Sequence, residues 1–274
     1  MIETLLAALF GLLIGSFLNV VIHRWPNDLS VVQPRSKCPS CNQLIAWYDN
    51  IPVLSYLLLR GRCRDCHARI LPRYLLVELL TGAFFAHFVW HFGISLEALR
   101  GCLLSAILIA LIFTDLESRI LPDELTLGGL VVGLMLACVL PVPDTTAHAM
   151  ASMAGLDWNS RALSIAEAVL GALLPSGALW MAGVLYQKLR HVDGLGLGDV
   201  KMLAMIGAFL GLRPTLLTLI AGSVLGSVVG LIYLRWTKSD PATYALPLGT
   251  FLGIGGLAVL MYGRGAIDWY AGML

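Results

Sequence analysis

The chain is poor in charge. Its 274 residues carry 18 Lys and Arg and 17 Asp and Glu, 13% in all, against 58% hydrophobic residues. That is about half the charge usual in soluble domains, so the composition reads as a polytopic membrane protein. Also missing are the ten-residue alternating segments of a transmembrane barrel, which leaves an all-α bundle as the fold class. There is no acidic tail, low-complexity run or basic tract, so nothing here suggests nucleic acid. No basic segment precedes the apolar stretch 5–22; positive charges follow it, and it reads as a retained first span rather than a cleaved signal. Neither HExxH nor a Ser-His-Asp arrangement is present to supply hydrolytic chemistry.

What remains is a series of apolar runs. A span needs about 20 such residues. Residues 4–22, 74–92, 96–114, 125–141, 163–187, about 195–212, 215–235 and 244–263 qualify, predicting about eight transmembrane helices set in membrane lipid. Basic residues orient them. If 23–73 is cytoplasmic, then 115–124, 188–201 and 235–243 share its side, and together these hold 14 of the 18 basic residues, leaving Arg100, Arg161, Arg213 and Arg264 opposite. Both termini are then external. The connection 142–162 is polar and carries no recognised motif, and His148 reads as solvated within it. The organisation expected is a first helix over 1–22, a cytoplasmic module over 23–73 and a membrane domain with seven further helices over 74–274.

Four of the six cysteines form a pattern. Cys38, Cys41, Cys63 and Cys66 make two CxxC pairs separated by 21 residues, the spacing of a four-thiolate zinc site. A cytoplasmic position strengthens that reading, because disulfides are disfavoured there. Such an ion would be structural, letting about 50 residues fold without a large core. Cys102 and Cys138 sit alone in apolar runs and read as packing residues. His67, beside Cys66, reads as a flanking surface residue.

The costliest feature is a carboxylate in the stretch from Gly194 to Lys201, Gly-Leu-Gly-Leu-Gly-Asp-Val-Lys. An ionised group near the middle of a membrane helix costs about 2.5–3.5 kcal/mol on insertion scales, so Asp199 calls for a function and a partner. From Lys201 to Arg213 there are too few residues to cross a bilayer, so a crossing helix must begin near Gly194, with Asp199 more than a turn inside. The glycines, Gly196 and Gly198 among them, would let that backbone loosen and admit water. The plainer alternative is that Asp199 caps a helix N-terminus. Asp115 closes the third span, and two complete spans separate it from Asp199, so both return to one face. Two carboxylates there can share a proton, one acting as base on water while the other polarises a peptide carbonyl. Glu117, Asp123 and Glu124 read as solvated or as contacts for a basic substrate segment. Glu78 either pairs with Arg73 or lines the site. Lys201 is either a charge partner for a carboxylate or a side chain snorkelling to the surface. Asn19 reads as a hydrogen bond between helices.

These motifs resemble those of the type IV prepilin peptidases, or prepilin leader peptidase/N-methyltransferases, a GxGD-type aspartic peptidase family. The matching residues are 15–24, both CxxC pairs, Asn50-Ile51-Pro52, 59–63, Arg73-Tyr74, 77–80, Asp115, Leu121-Pro122-Asp123 and 196–201. The resemblance implies that Asp115 and Asp199 are the catalytic pair. It implies cleavage of a short basic leader from prepilins or pseudopilins between Gly and Phe, on the cytoplasmic face of the bacterial inner membrane, in type IV pilus or type II secretion systems. It further implies methylation of the new N-terminus from S-adenosylmethionine. Two positions depart from the pattern: Leu246-Pro247-Leu248-Gly249-Thr250-Phe251 keeps it in part, and Arg73-Tyr74-Leu75 lacks a proline. The rival reading is a metal-regulated transporter using intramembrane carboxylates, but the sequence has no second copy of the glycine-broken segment. In a third reading, an assembly subunit, Asp199 only caps a helix.

Overall fold

The computed structural model describes residues 1–191, 196–237 and 247–272. Among these residues there are ten α-helices and no strand; Lys37 with Leu44 and Arg62 with Arg69 form isolated bridges. The chain divides into two compact units, Met1–Thr114 and Asp115–Leu274.

The first unit contains α1 (Ile2–Arg24), α2 (Leu54–Leu58), α3 (Pro72–Phe92) and most of α4 (Leu96–Ser118). Helices α1 and α3 pack backbone to backbone. A Cβ on Gly15 would lie 2.7 Å from Glu78 Cα, so only glycine permits the approach, as in membrane helix pairs built on small residues. Asn19 Nδ2 donates to Tyr74 O at 3.0 Å across the same pair, the interhelical bond expected of it. Pro72 opens α3, where its missing N–H costs nothing.

The second unit holds α5 (Asp123–Ala137), α6 (Thr146–Met153), α7 (Ser160–Arg190), α8 (Leu197–Leu210), α9 (Leu212–Thr237) and α10 (Leu248–Ala271). Helix α8 packs against α5 and α7. A Cβ on Gly207 would lie 1.9 Å from Gly171 O, so α7 and α8 touch through glycine backbone. Met202, Leu203 and the run 205–210 are all buried. A helix that is apolar all round belongs inside a protein rather than at its surface.

Every predicted span coincides with a helix, although 195 and 244–246 lie outside the described residues. Among the described residues, five helices are long and apolar enough to cross a membrane: α1, α3, α4, α7 and α9. The apolar part of α10, Leu248–Gly263, is shorter. Helices α5 and α8 have 15 and 14 residues, or about 21–23 Å at 1.5 Å per residue, short of a 30 Å core. The chain is thus a multi-pass membrane protein whose spans are less even than eight apolar runs suggest. The connection 142–162 also contains more order than expected. Helix α6 begins where Glu167, 3% exposed, accepts from Ala147 N at 2.5 Å, and Asp144 accepts from Thr145 N at 2.8 Å. Carboxylates satisfy the free N–H groups of the new helix, and Arg213 pairs with Asp144 at 3.1 Å.

Candidate active site

Asp115 lies in the last turn of α4 and is 5% exposed. Its Oδ2 accepts two hydrogen bonds from Thr250, from the backbone N–H at 2.6 Å and from Oγ1 at 2.8 Å. Thr250 is in the first turn of α10, where the backbone N–H groups have no partner within the helix and the dipole favours negative charge. The start of α10 is therefore a seat for the Asp115 carboxylate. Gly249 makes the seat possible. A Cβ there would stand 3.2 Å from Asp115 Cγ and 2.9 Å from Leu121 Cδ1.

Asp199 occupies the matching position on another helix. It is the third residue of α8, and its carboxylate takes a hydrogen bond from the Gly196 N–H, a side chain reaching back to cap its own helix. The capping geometry and the carboxylate pair thus coexist, since the charges of Asp115 and Asp199 lie within electrostatic reach of each other. One side chain sits between their supports. Leu121 Cβ would be 3.0 Å from a Cβ on Gly198, while its Cδ1 meets the place of a Cβ on Gly249. Gly198 is needed for this contact. Gly196 is in an ordinary extended conformation, φ −75° and ψ 134°, that any residue adopts. Gly194 and Leu195 lie outside the described residues, as does Leu246.

The other named residues fall around or away from this centre. Lys201 donates to both oxygens of Asp123, at 2.7 and 2.9 Å, so its charge partner is the first residue of α5. Glu78 belongs to the first unit. Its Oε2 accepts from Val53 N at 2.8 Å, and its carboxylate also bonds with the Ser16 side chain. Val53 has φ 62°, an uncommon conformation for a β-branched residue, and Glu78 holds it at the start of α2. Sequence reasoning missed Thr250. The signal was a lone hydroxyl in the first turn of an apolar helix, inside a segment noted only for departing from a pattern.

The cysteines also converge. The Sγ atoms of Cys38, Cys41, Cys63 and Cys66 lie within 4.8 Å of one another, with Cys38 and Cys66 at 3.8 Å. Both pairs form the same turn. Asn42 N donates to Cys38 O at 2.8 Å and His67 N to Cys63 O at 3.1 Å, with Asn42 and His67 at φ 59° and 57°. His67 closes its turn through its backbone, and its side chain is exposed. Burial raises the Cys38 thiol, but the Cys41 and Ser40 N–H groups and neighbouring thiols outweigh it and bring it down to about 7. The four sulfurs could hold one metal ion. Cys102 is buried as expected, whereas Cys138 is exposed and its Sγ donates to Leu134 O at 3.4 Å.

Comparison with known proteins identifies the family. Residues 9–92 match the family described as bacterial Peptidase A24 N-terminal domain, and residues 102–231 the type IV leader peptidase family. The chain is 35% identical to the prepilin leader peptidase/N-methyltransferase of Stutzerimonas stutzeri, over 94% of its own length and 90% of the relative's. It is 35% identical to that of Legionella pneumophila over 98% and 94%, and 34% identical to that of Pseudomonas aeruginosa over 93% and 89%. No solved structure matches the chain. The transporter alternative finds no support among these matches. The chain belongs to the type IV leader peptidase family.

Proposed function

We propose that the protein is a membrane aspartic endopeptidase that removes the basic leader from prepilins or pseudopilins between Gly and Phe, and then methylates the new N-terminus. The observation that carries the peptidase reading is the pairing of Asp115 and Asp199, each held at the start of a helix around Leu121. An oxygen accepting two hydrogen bonds is poorly placed to carry a proton, so a shared proton belongs on Asp115 Oδ1 or on Asp199. One carboxylate takes a proton from water as its oxygen bonds the scissile carbonyl carbon, and the other donates its proton to the carbonyl oxygen. Return of a proton to the leaving nitrogen breaks the C–N bond. Gly196, Gly198, Lys201 and Asp123 support this arrangement, and Glu78 anchors the first unit. The active site and the 23–73 module face the cytoplasm at the bacterial inner membrane.

The metal is zinc, in a structural role. A tetrahedral ion with bonds of about 2.3 Å sets sulfurs about 3.8 Å apart, the spacing found between Cys38 and Cys66. The methyl donor is S-adenosylmethionine, which supplies an electrophilic methyl group to the freed amine. Incubation of purified protein with a synthetic prepilin and the donor, followed by mass spectrometry, tests both activities. The expected product has lost its leader and gained about 14 Da, one methyl replacing hydrogen. An intact substrate refutes the peptidase reading, and a cleaved, unmodified product refutes the second activity. Metal analysis should find zinc bound, with Cys38→Ser losing it; metal-free protein of unchanged stability would refute the structural role.

A further inference from the structure

Cleavage between Gly and Phe calls for a site that refuses a side chain on the residue before the cut. Leu121 supplies a physical reason for that refusal. It is half-buried in the connection between α4 and α5, and Pro122 after it disfavours a helical backbone there. Its side chain borders the supports of both carboxylates. The place of a Cβ on Gly249 is 2.9 Å from Leu121 Cδ1 and 3.2 Å from Asp115 Oδ2, so the leucine methyl and the carboxylate oxygen flank one point. The place of a Cβ on Gly198, the residue before Asp199, is 3.0 Å from Leu121 Cβ and 3.2 Å from Cδ1. On Gly196, a Cβ would stand 3.3 Å from Asp199 Oδ2. These three glycines keep side chains off the carboxylates, and Leu121 takes up part of the room that they leave.

The chemistry fixes where the substrate must come. For a carboxylate pair to act, the scissile carbonyl carbon has to reach water held by one carboxylate while its oxygen takes a proton from the other. The α-carbon before the cut is bonded to that carbonyl carbon at about 1.5 Å, so any side chain there begins beside the carboxylates. A Cβ would meet space already held by the Leu121 methyl groups, whereas glycine brings only hydrogen. A single extra carbon in an apolar site is discriminated by about 10–200-fold.

We propose that Leu121 is the specificity-determining residue for the glycine before the cut, filling the space that a side chain there would need. This role rests on the peptidase reading above. It is tested on the purified full-length protein by comparing kcat/KM for synthetic prepilins with Gly-Phe, Ala-Phe and Gly-Ala at the junction. The wild type should favour Gly-Phe over Ala-Phe by about 10–200-fold. Leu121→Ala, which removes Cγ and both Cδ atoms, should narrow that preference about tenfold or more, and Leu121→Met, close in volume, should keep it. Each preference is a ratio within one variant, so a general loss of activity or of folded protein cancels. Where the alanine variant fails to insert, Leu121→Val should narrow the ratio in the same direction. An unchanged ratio in the shortened variants marks Leu121 as a packing residue and overturns the proposal. A shift confined to Gly-Phe against Gly-Ala places the leucine on the Phe side and overturns it equally. Wild-type protein that cleaves Gly-Phe and Ala-Phe alike overturns this role and leaves the peptidase reading standing, whereas wild-type protein that cleaves no prepilin overturns both.

Discussion

Thr250 offers the sharpest test of how the carboxylate pair is held. Replacing it with valine keeps the shape and the backbone N–H bond to Asp115 Oδ2, and removes the 2.8 Å hydroxyl bond. A hydrogen bond to a charged group contributes about 1.5–3 kcal/mol, and here the acceptor is 5% exposed, so little water can replace the lost donor. If that bond positions Asp115 for the reaction, its loss appears in the barrier, and each 1.36 kcal/mol is about tenfold in rate. Thr250→Val should therefore lower kcat for prepilin cleavage by about 10–150-fold. KM should change little, because a group that positions the carboxylate is felt in the barrier rather than in substrate binding. Thr250→Ser, which restores the hydroxyl, should recover most of the rate. Wild-type kcat in the valine variant would refute the positioning role, as would equal impairment in valine and serine.

Other outcomes follow from neighbouring contacts. Gly249→Ala would place a Cβ 3.2 Å from Asp115 Cγ, so cleavage should fall more than in Gly198→Ala, whose Cβ meets the Leu121 side chain, Cβ first at 3.0 Å; adding Leu121→Gly, which removes that Cβ, should restore activity in the Gly198 variant. The Lys201–Asp123 pair, with side chains 35% and 56% exposed, should contribute no more than about 1 kcal/mol to stability, so Lys201→Met should barely shift the Tm. In the cysteine module, the Arg64 N–H bonds hold the Asp49 carboxyl below its ordinary value and outweigh burial. The sign follows from linkage: a lowered folded value means stability present above the ordinary carboxylate range and lost as pH falls through the folded value. Protection of the 38–66 backbone in hydrogen exchange should decline in acid, and Asp49→Asn should flatten that dependence; an unchanged profile would refute the link.

Much of this was legible from residue type and spacing. The eight apolar runs became helices because burying apolar length is what α1, α3, α4, α7 and α9 do. The CxxC pairs brought four sulfurs together because two-residue gaps close identical turns at Asn42 and His67. Other features depended on distant packing. Helix α8 is short because neighbouring helices, not lipid, cover its apolar surface, and hydropathy alone does not separate those surroundings. The role of Gly198 is steric, set by Leu121 from a distant part of the chain, so the glycine pattern located the site without giving its reason. Thr250 stands 135 residues from Asp115, a pairing that no local periodicity encodes. Glu78 likewise found its partner in Val53, whose left-handed backbone the sequence did not announce.

Whether Asp115 and Asp199 act as one catalytic pair is tested most directly by substitution. Cleavage of a synthetic prepilin with a Gly-Phe junction should be followed with purified wild-type protein, Asp115→Asn and Asp199→Asn, each checked for insertion and thermal stability. Both substitutions should leave a folded membrane protein without cleavage activity. Wild-type cleavage by either variant would contradict the account.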